Sequence, residues 1–448
     1  MATSVHLLAI ACQLLLLGAL CWTQSRYTSV LMYRYFTPAG FVTFWYAMYF
    51  IIEQLAYITN GYTMLGMEAL APDQAVAVYE RTQLLLLAML ASMVVGSALV
   101  PLPRQTIAPE EFIRTLGKGV SFWTVAAVLA FFAMGMVATI YLGHQFTRLT
   151  SLGQFRSGLV KSSDGLMATV VQFLGNFAFS VLLYWLVRAR RYLLVAGLVA
   201  AFFVAMLYTG ARGRFLWPTL IGLAIVFAAG NKLPTARLVI FGALGIFALS
   251  IMDPLRKSLV DPTATFTVFS AGDFVSDLLI KRNFDGFANF GLISGMGFIE
   301  PHLSRVLTGA REVFMTTCFP VIYRAGVAFG STLPGYFYVS AGVPGVIILG
   351  AIYGASLQMI NLMLRSIRSV WLLFAYMYGM MWYGAVGADF VESRNKMIAA
   401  MAPGIILWGL SLIEPLYQAK QRPQRLPLHA AAVRPPPAIR PPVHRPFR

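Results

Sequence analysis

Long apolar runs separated by short polar stretches recur along most of the chain. The longer runs hold about 18 or more residues, enough for a helix to cross a hydrocarbon layer of ~30 Å. Because lipid offers the backbone no hydrogen-bond partners, such runs are predicted to be helices. We predict about eleven membrane-spanning helices, with a range of ten to twelve, at residues 4–22, 40–59, 83–102, 120–143, 166–187, 192–209, 215–229, 238–252, 337–360, 370–388 and 397–416.

The composition supports this pattern. Of the 448 residues, 58% are hydrophobic and 11% are charged, whereas about a quarter are charged in a soluble domain. The fold class is therefore predicted as all-α, a polytopic membrane protein. No Lys or Arg precedes the first apolar run, so we interpret that run as a retained helix and not as a signal peptide. Cys12, Cys21 and Cys318 lack metal-ligand spacing, and no metal site or cofactor is predicted.

Basic residues in short loops predict the orientation, because Lys and Arg in such loops favour the cytoplasmic side. If eleven helices are present, one side of the membrane carries Arg26, Arg34, Arg104, Arg114, Lys118, Arg188, Arg190, Arg191, Lys232, Arg237, Arg365, Arg368 and the basic tail. The N-terminus is then external. Loop and tail cations account for most of the net charge of +17, so nucleic acid is not an expected partner.

This orientation divides the chain into four regions. Residues 1–252 hold eight helices with short loops, and residues 253–336 form a large external, periplasmic loop. Residues 337–416 hold the last three helices, and residues 417–448 form a disordered, basic, Pro-rich cytoplasmic tail. Helical patterning from Asp273 to Phe290 predicts an ordered external lid, with amphipathic helices lying along the membrane surface.

Arginines on the external side are the first candidate functional residues. Arg212 and Arg214 lie in a short external loop, where orientation preferences disfavour arginine. A guanidinium group binds phosphate oxygens in a bidentate fashion and stays charged when partly desolvated. The alternative is that both side chains reach towards lipid headgroups.

The large loop adds further charged residues, most of which we interpret as surface ion pairs. Arg324 differs because it lies in an apolar stretch close to the return into the membrane, where an ionisable residue is a functional candidate. The other charged residues of the loop are the cations Arg256, Lys257, Lys281, Arg282, Arg305 and Arg311 and the acids Asp273, Asp277, Asp285 and Glu312.

Few polar residues are predicted inside the membrane. Glu53 and Asn176 lie within predicted helices, and Asp389 ends the tenth. Asp389 is a candidate for a structural ion pair with Arg394, in an external turn that also contains Glu392 and Lys396. Glu53 has no partner nearby in sequence, and either an arginine or a water-filled cavity suits it.

Two segments resemble a known family. Gly210-Ala211-Arg212-Gly213-Arg214 precedes a helix, and Ser331-Thr332-Leu333-Pro334-Gly335 precedes a helix that contains Gly342, Gly345, Gly350 and Gly354. Ten residues separate Arg324 from Gly335. The chain resembles the Wzy-type O-antigen and oligosaccharide repeat-unit polymerases of bacterial envelopes, which show a similar Gly-Ser/Ala-Arg-Gly segment, a similar Arg-x10-Gly spacing and a large late external loop.

The resemblance implies a multi-pass protein of the bacterial inner membrane with a GT-C-like architecture and a site facing the periplasm. It implies transfer of glycan from undecaprenyl pyrophosphate to a second lipid-linked repeat unit, without metal or nucleotide sugar and with a chain-length regulator protein as a possible partner. Arg212 and Arg324 would act on the pyrophosphate, with Asp285, Glu312 and Asp389 as candidate bases. Substrate-binding candidates are Arg214, Arg282, Arg311, Tyr336, Tyr338 and Arg394.

Two other functions remain open from the sequence. An O-antigen ligase, which transfers finished glycan to lipid A core, would have similar topology and arginines, and His302 is the candidate histidine for it. A transporter of anionic or lipid-linked cargo would also place charge inside the membrane, although no internal repeat supports it. Motifs for ATP hydrolysis and for serine hydrolases are absent from the sequence.

Overall fold

The structure, a computed structural model, describes residues 2–26, 34, 36–59, 70–102, 122–147, 163–209, 212–230, 286–295, 299–324 and 330–421. Every regular element within these ranges is a helix. The helices are α1 (Ala2–Ser25), α2 (Pro38–Thr59), α3 (Pro72–Leu99), α4 (Phe122–Thr147), α5 (Ser163–Arg188), α6 (Tyr192–Thr209), α7 (Arg212–Gly230), α8 (Gly286–Gly295), α9 (Arg305–Thr308), α10 (Arg311–Cys318), α11 (Pro320–Arg324), α12 (Leu333–Ser366), α13 (Val370–Tyr383) and α14 (Phe390–Gln421).

Seven helices of the described chain are long and apolar enough to cross a membrane: α1 to α5, α12 and α14. Shorter apolar helices lie at Tyr192–Met206 in α6 and Trp217–Phe227 in α7. The predicted all-α, multi-pass membrane class is confirmed at this level. Ten of the eleven predicted spans coincide with a helix, and the eighth, residues 238–252, lies outside the described residues.

Several predicted boundaries are wrong. The third predicted span begins at residue 83, but α3 begins at Pro72, because its first turns carry charged residues that lower the local hydropathy. The tenth was predicted to end at residue 388, whereas α13 ends at Tyr383 and a short turn follows. Asp389 therefore lies immediately before α14 and not at the end of the preceding helix.

Helices α1 and α3 run parallel, with α2 antiparallel to both. His6 lies 3.5 Å from Glu80 near the start of α1 and α3, and Thr23 lies 3.0 Å from Ser97 near their ends. Helix α2 starts where α1 ends, because the Gln24 side chain accepts a hydrogen bond from the first turn of α2. We call the end of the bundle at which α1 begins the proximal end and the opposite one the distal end.

The C-terminal helices follow the same axis. The Tyr338 hydroxyl meets Arg81 near the proximal start of α3, and Asn361 donates to a backbone carbonyl at the distal end of α1. Helix α12 therefore runs from proximal to distal. Helix α13 returns to the proximal end, where the Val386 carbonyl accepts a hydrogen bond from the backbone N–H of Leu333 at 2.8 Å.

Helices α5 and α7 also run towards the distal end. The Ser180 hydroxyl of α5 donates a hydrogen bond to the Pro218 carbonyl of α7 at 2.6 Å, and one turn further along both helices Gly222 packs against Leu183. Near the end of α5, the Trp185 ring packs edge-on against Trp371 at the distal start of α13. Because α7 runs in this direction, its first residue, Arg212, lies at the proximal end.

Glycines allow α3 and α12 to pack in backbone contact. A Cβ atom on Gly96 would lie 1.9 Å from the Ala351 carbonyl oxygen, and one on Gly354 would lie 2.1 Å from the carbonyl oxygen of Met93. Gly350 is similarly close to α3. Small residues at helix contacts are typical of membrane bundles, where close packing drives association. Two of the glycines noted in the sequence, Gly350 and Gly354, thus serve helix packing.

A buried glutamine network joins α1, α2 and α3. Gln13 and Gln54 exchange hydrogen bonds of 3.1 and 2.9 Å. Gln83 donates to Gln54 at 3.0 Å, and the Tyr46 hydroxyl donates to Gln13 at 3.0 Å. Such bonds between helices stabilise bundles in lipid by about 0.6 to 2 kcal/mol each. These glutamines are not among the polar residues that the sequence pattern identified as candidates.

Helix α12 is broken near its proximal start. Ala341 and Gly342 have non-helical dihedral angles, and Gly342 has a φ of 67°, a left-handed region that favours glycine. Pro344 follows and cannot donate a backbone hydrogen bond. The Val339 carbonyl before the break accepts a hydrogen bond from the N–H of His302 at 2.8 Å. The first eight residues of α12 thus form a separate half-helix.

Candidate functional site

Helix α8, from the middle of the chain, lies inside the bundle. Nine of its ten residues, Gly286 to Ser294, are buried. Gly286 and Gly295 allow close approach to Tyr49 of α2 and Val78 of α3. The predicted amphipathic lid at Asp273–Phe290 is therefore wrong for its last five residues, which are buried against other helices and not laid along a surface. Residues 273–285 lie outside the described residues.

Glu53 of α2 caps this buried helix. Its side chain is 4% exposed, and its oxygens accept hydrogen bonds from the backbone N–H groups of Phe287 at 2.6 Å and Ala288 at 3.3 Å. The Tyr57 hydroxyl donates a third hydrogen bond at 2.8 Å. The first N–H groups of a helix have no partner within the helix, and a carboxylate there is favoured by the helix dipole. The sequence left the partner of Glu53 open. In the structure its partners include the backbone N–H groups at the start of α8.

Local backbone geometry in α2 accompanies this contact. The residues from Ala47 to Ile51 form a π-helical stretch, in which an extra residue per turn shifts the side-chain positions. Tyr49 lies in this stretch, and its ring lies where a Cβ on Gly387 would be. The π-helical stretch thus faces both α8 and the turn between α13 and α14.

Asp389, like Glu53, caps the start of a helix with its carboxylate. Its carboxylate, in a residue that is 2% exposed, accepts hydrogen bonds from the N–H groups of Ala310 at 2.5 Å and Arg311 at 3.2 Å, at the start of α10. It also accepts from the N–H of Val391 at 2.8 Å, in the first turn of α14, and from the Ser331 hydroxyl at 3.2 Å. One buried carboxylate therefore caps two helices. We call Asp389, Ala310, Arg311, Ser331 and Val391 the Asp389 junction.

The expected ion pair between Asp389 and Arg394 does not form. The four hydrogen bonds of Asp389 come from backbone N–H groups and a hydroxyl. Arg394 is exposed, and its guanidinium lies 3.4 Å from the neighbouring Asn395 side chain. The prediction failed because Asp389 faces into the protein at a helix start, whereas Arg394, five residues later, points outward.

An ion-pair network lies beside the Asp389 junction. The Arg311 guanidinium meets Glu392 at 2.8 Å, and the Lys396 ammonium meets the other oxygen of Glu392 at 2.5 Å. Lys396 also lies 4.8 Å from the centre of the Trp382 ring, a distance suited to a cation–π contact. The network ties α10 to the first turns of α14 and concentrates two cations and one acid at the proximal end.

Tyr336 and Tyr338 lie in the half-helix of α12, and both are buried. The Tyr336 hydroxyl donates to the Val306 carbonyl at 2.7 Å, and its ring stacks on Phe390 of α14. The Tyr338 hydroxyl accepts a hydrogen bond from Arg81 at 3.1 Å. Protein groups cover the rings of both of these substrate-binding candidates, so in this conformation they position the half-helix.

The start of this half-helix carries backbone strain. Thr332 has a φ of 62°, which is uncommon for a residue other than glycine and is strained for a β-branched one. Its hydroxyl accepts a hydrogen bond from the N–H of Gly335 at 3.1 Å and so caps the half-helix. The neighbouring Ser331 belongs to the Asp389 junction. The Ser331–Gly335 motif therefore forms a strained cap directly against the buried carboxylate.

The remaining candidates that the structure describes come from α7, α10 and α11. Arg324 is exposed at the end of α11, and Glu312 is exposed on α10. Arg212 and Arg214 lie in the first turn of α7, and the structure describes only their backbone. Arg282 and Asp285 lie outside the described residues. The structure thus brings together Asp389, Arg311 and Tyr336, with Glu312 on the same helix as Arg311.

Arg81, Ser331 and Lys396 belong to the site, although the prediction of site residues did not include them. Arg81 is an ionisable residue within a 28-residue helix, a position that itself indicates a specific role. Lys396 follows Glu392 by four residues, the spacing at which opposite charges meet on a helix. Nothing in the sequence indicated a role for Ser331 other than its position in the Ser331–Gly335 motif.

Burial affects the chemistry of one thiol near the junction. Cys318 ends α10, outside the candidate membrane spans, and burial raises the pKa of its thiol to about 11 because the charged thiolate is disfavoured in an apolar environment. Among the residues that the structure describes, no three His, Cys, Asp or Glu side chains are grouped so as to hold a metal ion.

The fold and the junction define a polytopic helical membrane protein with a buried polar site at one end of its bundle. No protein-family model, curated protein or solved structure matches this chain. Any more specific function is therefore proposed from the chain's own residues and geometry.

Proposed function

We propose that the chain is a membrane glycosyltransferase that joins undecaprenyl-pyrophosphate-linked oligosaccharide repeat units into a surface polysaccharide. The proximal end would face the periplasm, and the membrane would be a bacterial inner membrane. The two glycine-containing segments that resemble Wzy-type polymerases support this proposal. Both of them, at Arg212 and at Ser331–Gly335, lie at the proximal end.

The proposal includes a complete set of eleven spans in a GT-C-like arrangement. Seven spans meet the length and hydropathy requirements of a membrane helix. Helices α6, α7 and α13 would add three, since each is apolar. Residues 238–252 would supply the eleventh. An odd number of spans between the proximal N-terminus and the basic tail would place the tail in the cytoplasm, as the positive-inside rule favours.

The observation that carries the proposal is the separation of charged residues between the two ends of the bundle. Helix α7, the segment from Ala310 to Arg324 and Asp389 come from separate parts of the sequence, yet α7 begins, and the Asp389 junction lies, at the proximal end. Of the basic residues that were assigned to the cytoplasm, Arg188 and Arg365 lie within the described residues and at the distal end. Proximal cations in this arrangement are not needed for orientation, and Arg324, which is exposed, is accessible to an anionic substrate.

The proposed reaction uses only the two lipid-linked substrates and side chains of the protein. A sugar hydroxyl of the incoming unit attacks the anomeric carbon of the growing glycan, and the bond from that carbon to the pyrophosphate oxygen breaks. The lipid pyrophosphate leaves with the bonding electron pair, and the hydroxyl proton passes to a base. Arg212, Arg214 and Arg324 would stabilise the charge that develops on the pyrophosphate, an effect that is often the largest catalytic contribution.

Glu312 is the best-suited base among the described candidates. It is exposed on α10, and no described cation forms an ion pair with it. Asp389 is less suited, because its carboxylate oxygens already accept four hydrogen bonds inside the protein. A general base must reach the proton that it removes.

The test is extension of purified undecaprenyl-pyrophosphate-linked repeat units by the purified protein, without nucleotide sugar and with a metal chelator. We expect a ladder of products from the wild type and a loss of about 100-fold or more in Arg212→Ala and Arg324→Ala, as for removal of other groups that stabilise developing charge. Arg368→Ala is the matched control, because Arg368 is exposed at the distal end. Absence of a ladder from the folded wild type with its cognate substrate would disprove the proposal.

An O-antigen ligase is the second candidate, supported by the exposed position of His302. This histidine lies at the proximal end, and its Nδ1 atom is 2.6 Å from the Ser304 hydroxyl. Deletion of the gene separates the two functions. Loss of a polymerase leaves a single repeat unit on the cell surface, whereas loss of a ligase leaves none.

A further inference from the structure

Two short helical segments outside the candidate spans expose large apolar side chains beside arginines. Leu303 is 74% exposed and Leu307 is 80% exposed, on either side of Arg305. Val321, 75% exposed, is followed three residues later by the exposed Arg324. Leu303 and Leu307 are about one turn apart, since the N–H groups of Val306 and Leu307 bond to the carbonyls of Leu303 and Ser304, and both side chains are exposed. Exposed apolar surfaces beside polar residues mark sites of interaction with a protein or a membrane.

The segment that carries the two leucines lies at the break in α12. The N–H of His302 bonds to the last carbonyl before the break, that of Val339, at 2.8 Å. Pro301 packs against Gly342, 3.5 Å from the position of a Cβ on that glycine. The helix beyond the break, residues 343–366, is about 36 Å long at 1.5 Å per residue, enough for a hydrocarbon layer of about 30 Å. The break therefore lies at the proximal boundary of that layer.

The lipid-facing surface of α12 begins immediately after the same break. Val343, Ile347, Ile348 and Ile352 are all exposed on this helix, as expected for side chains in contact with lipid. The segment with Leu303 is bonded to the residues just before Val343 and therefore lies beside the start of this exposed apolar surface.

We propose that residues 301–308 form an interfacial anchor that rests on the bilayer in which the protein is embedded. Leu303 and Leu307 insert at the level of the headgroups and upper acyl chains, and the Arg305 guanidinium reaches lipid phosphate, as in amphipathic segments at membrane surfaces. The occupant of this apolar surface is lipid, and not a second protein chain. The proposal is independent of the glycosyltransferase assignment.

The test uses an environment-sensitive fluorophore on single cysteines of the full chain. Cys12, Cys21 and Cys318 are replaced by serine, and Leu303→Cys or Leu307→Cys is introduced and labelled with a nitrobenzoxadiazole dye. Thr316→Cys is the control, since Thr316 is exposed on the polar surface of α10. Each labelled protein is reconstituted in phosphatidylethanolamine and phosphatidylglycerol vesicles. Quenching by lipids with a nitroxide in the upper acyl chain is compared with quenching by iodide in water.

For Leu303→Cys and Leu307→Cys we expect blue-shifted emission, strong quenching by the lipid nitroxide and weak quenching by iodide. Thr316→Cys is expected to show the reverse. Strong iodide quenching at both leucine positions would overturn the proposal, because the surface would then face water. Protection from both quenchers would also overturn it, because protein would then cover the leucines. Both substitutions change exposed residues, and a monodisperse elution profile confirms that the labelled variants are folded.

Discussion

The Glu53 carboxylate accepts a hydrogen bond from the backbone N–H of Phe287 at 2.6 Å, although 234 residues separate the two in sequence. Asp389 makes the equivalent contact with Ala310 and Arg311. Two carboxylates from opposite parts of the chain therefore each cap a helix of the region between residues 286 and 318. Their common task is to fix that region against the membrane helices.

Substitution of Glu53 is expected to destabilise the protein, by an amount that depends on how many hydrogen-bond acceptors remain at this position. Glu53→Gln keeps one carbonyl oxygen and should lower the free energy of unfolding by about 1 kcal/mol, whereas Glu53→Leu leaves buried N–H groups unsatisfied and should cost about 3 kcal/mol. The measurement is the thermal unfolding midpoint in one detergent. Glu312→Gln, at an exposed site, is the control and should change the midpoint little. Equal midpoints for all three variants would contradict the capping role.

Asp389→Asn should also destabilise, by about 2 kcal/mol, because its amide group would present a donor to the N–H groups at the start of α10. Asp73→Asn is the control, since Asp73 is also an acid near a helix start but is exposed. The unfolding midpoint is measured together with glycan extension. An unchanged midpoint with complete loss of extension would indicate that Asp389 acts as a base and not as a cap.

Gly354→Ala should disrupt the contact between α3 and α12. The new methyl group would lie 2.1 Å from the carbonyl oxygen of Met93, so the helices would have to separate, at a cost of about 2 kcal/mol or more. Gly197→Ala is the matched control, because no atom lies within 4 Å of the added group and alanine favours a helix by about 0.5 to 1 kcal/mol. The two variants are compared by their thermal unfolding midpoints and by their monodispersity. An unchanged midpoint for Gly354→Ala would argue against this packing.

The Cys318 thiol should react slowly with alkylating reagents at neutral pH. With a pKa of about 11, only about one thousandth of it is thiolate at pH 8, against about a quarter for an ordinary cysteine with a pKa of 8.5. Because burial raises the pKa, reactivity should rise steadily from pH 8 to 11. The check is the iodoacetamide rate in a Cys12→Ser, Cys21→Ser protein that stays folded over this range. A rate that levels off near pH 9 would contradict the prediction.

The helices themselves could be predicted from the sequence because apolar runs of membrane length have few alternatives. The start of α3 could not, since Asp73, Glu80 and Arg81 interrupt the apolar pattern in its first turns. These residues are accommodated by contacts with other helices, such as that between Arg81 and Tyr338. Hydropathy describes how favourably each residue transfers from water to lipid, and it gives no information about side-chain contacts between helices.

The candidate site was predicted in part. Sequence reasoning placed Asp389 and Arg311 on the same side of the membrane and selected both. It could not predict that a carboxylate would bind the backbone of a helix almost eighty residues away, because backbone N–H groups leave no trace in the sequence. The glutamine network was missed for a related reason. Gln13, Gln54 and Gln83 are single polar residues in separate apolar runs, and only their packing shows that they meet.

The long sequence separation between Glu53 and its helix has a consequence for biogenesis. At roughly 5–20 residues per second, a ribosome needs about 12 to 47 seconds to synthesise the 234 residues between Glu53 and Phe287. During this interval a carboxylate within α2 lacks the backbone donors that it has in the finished protein. Tyr57, one turn later, is already present to donate its hydroxyl. The contact between Glu53 and α8 can therefore form only late in synthesis, after more than half of the chain has left the ribosome.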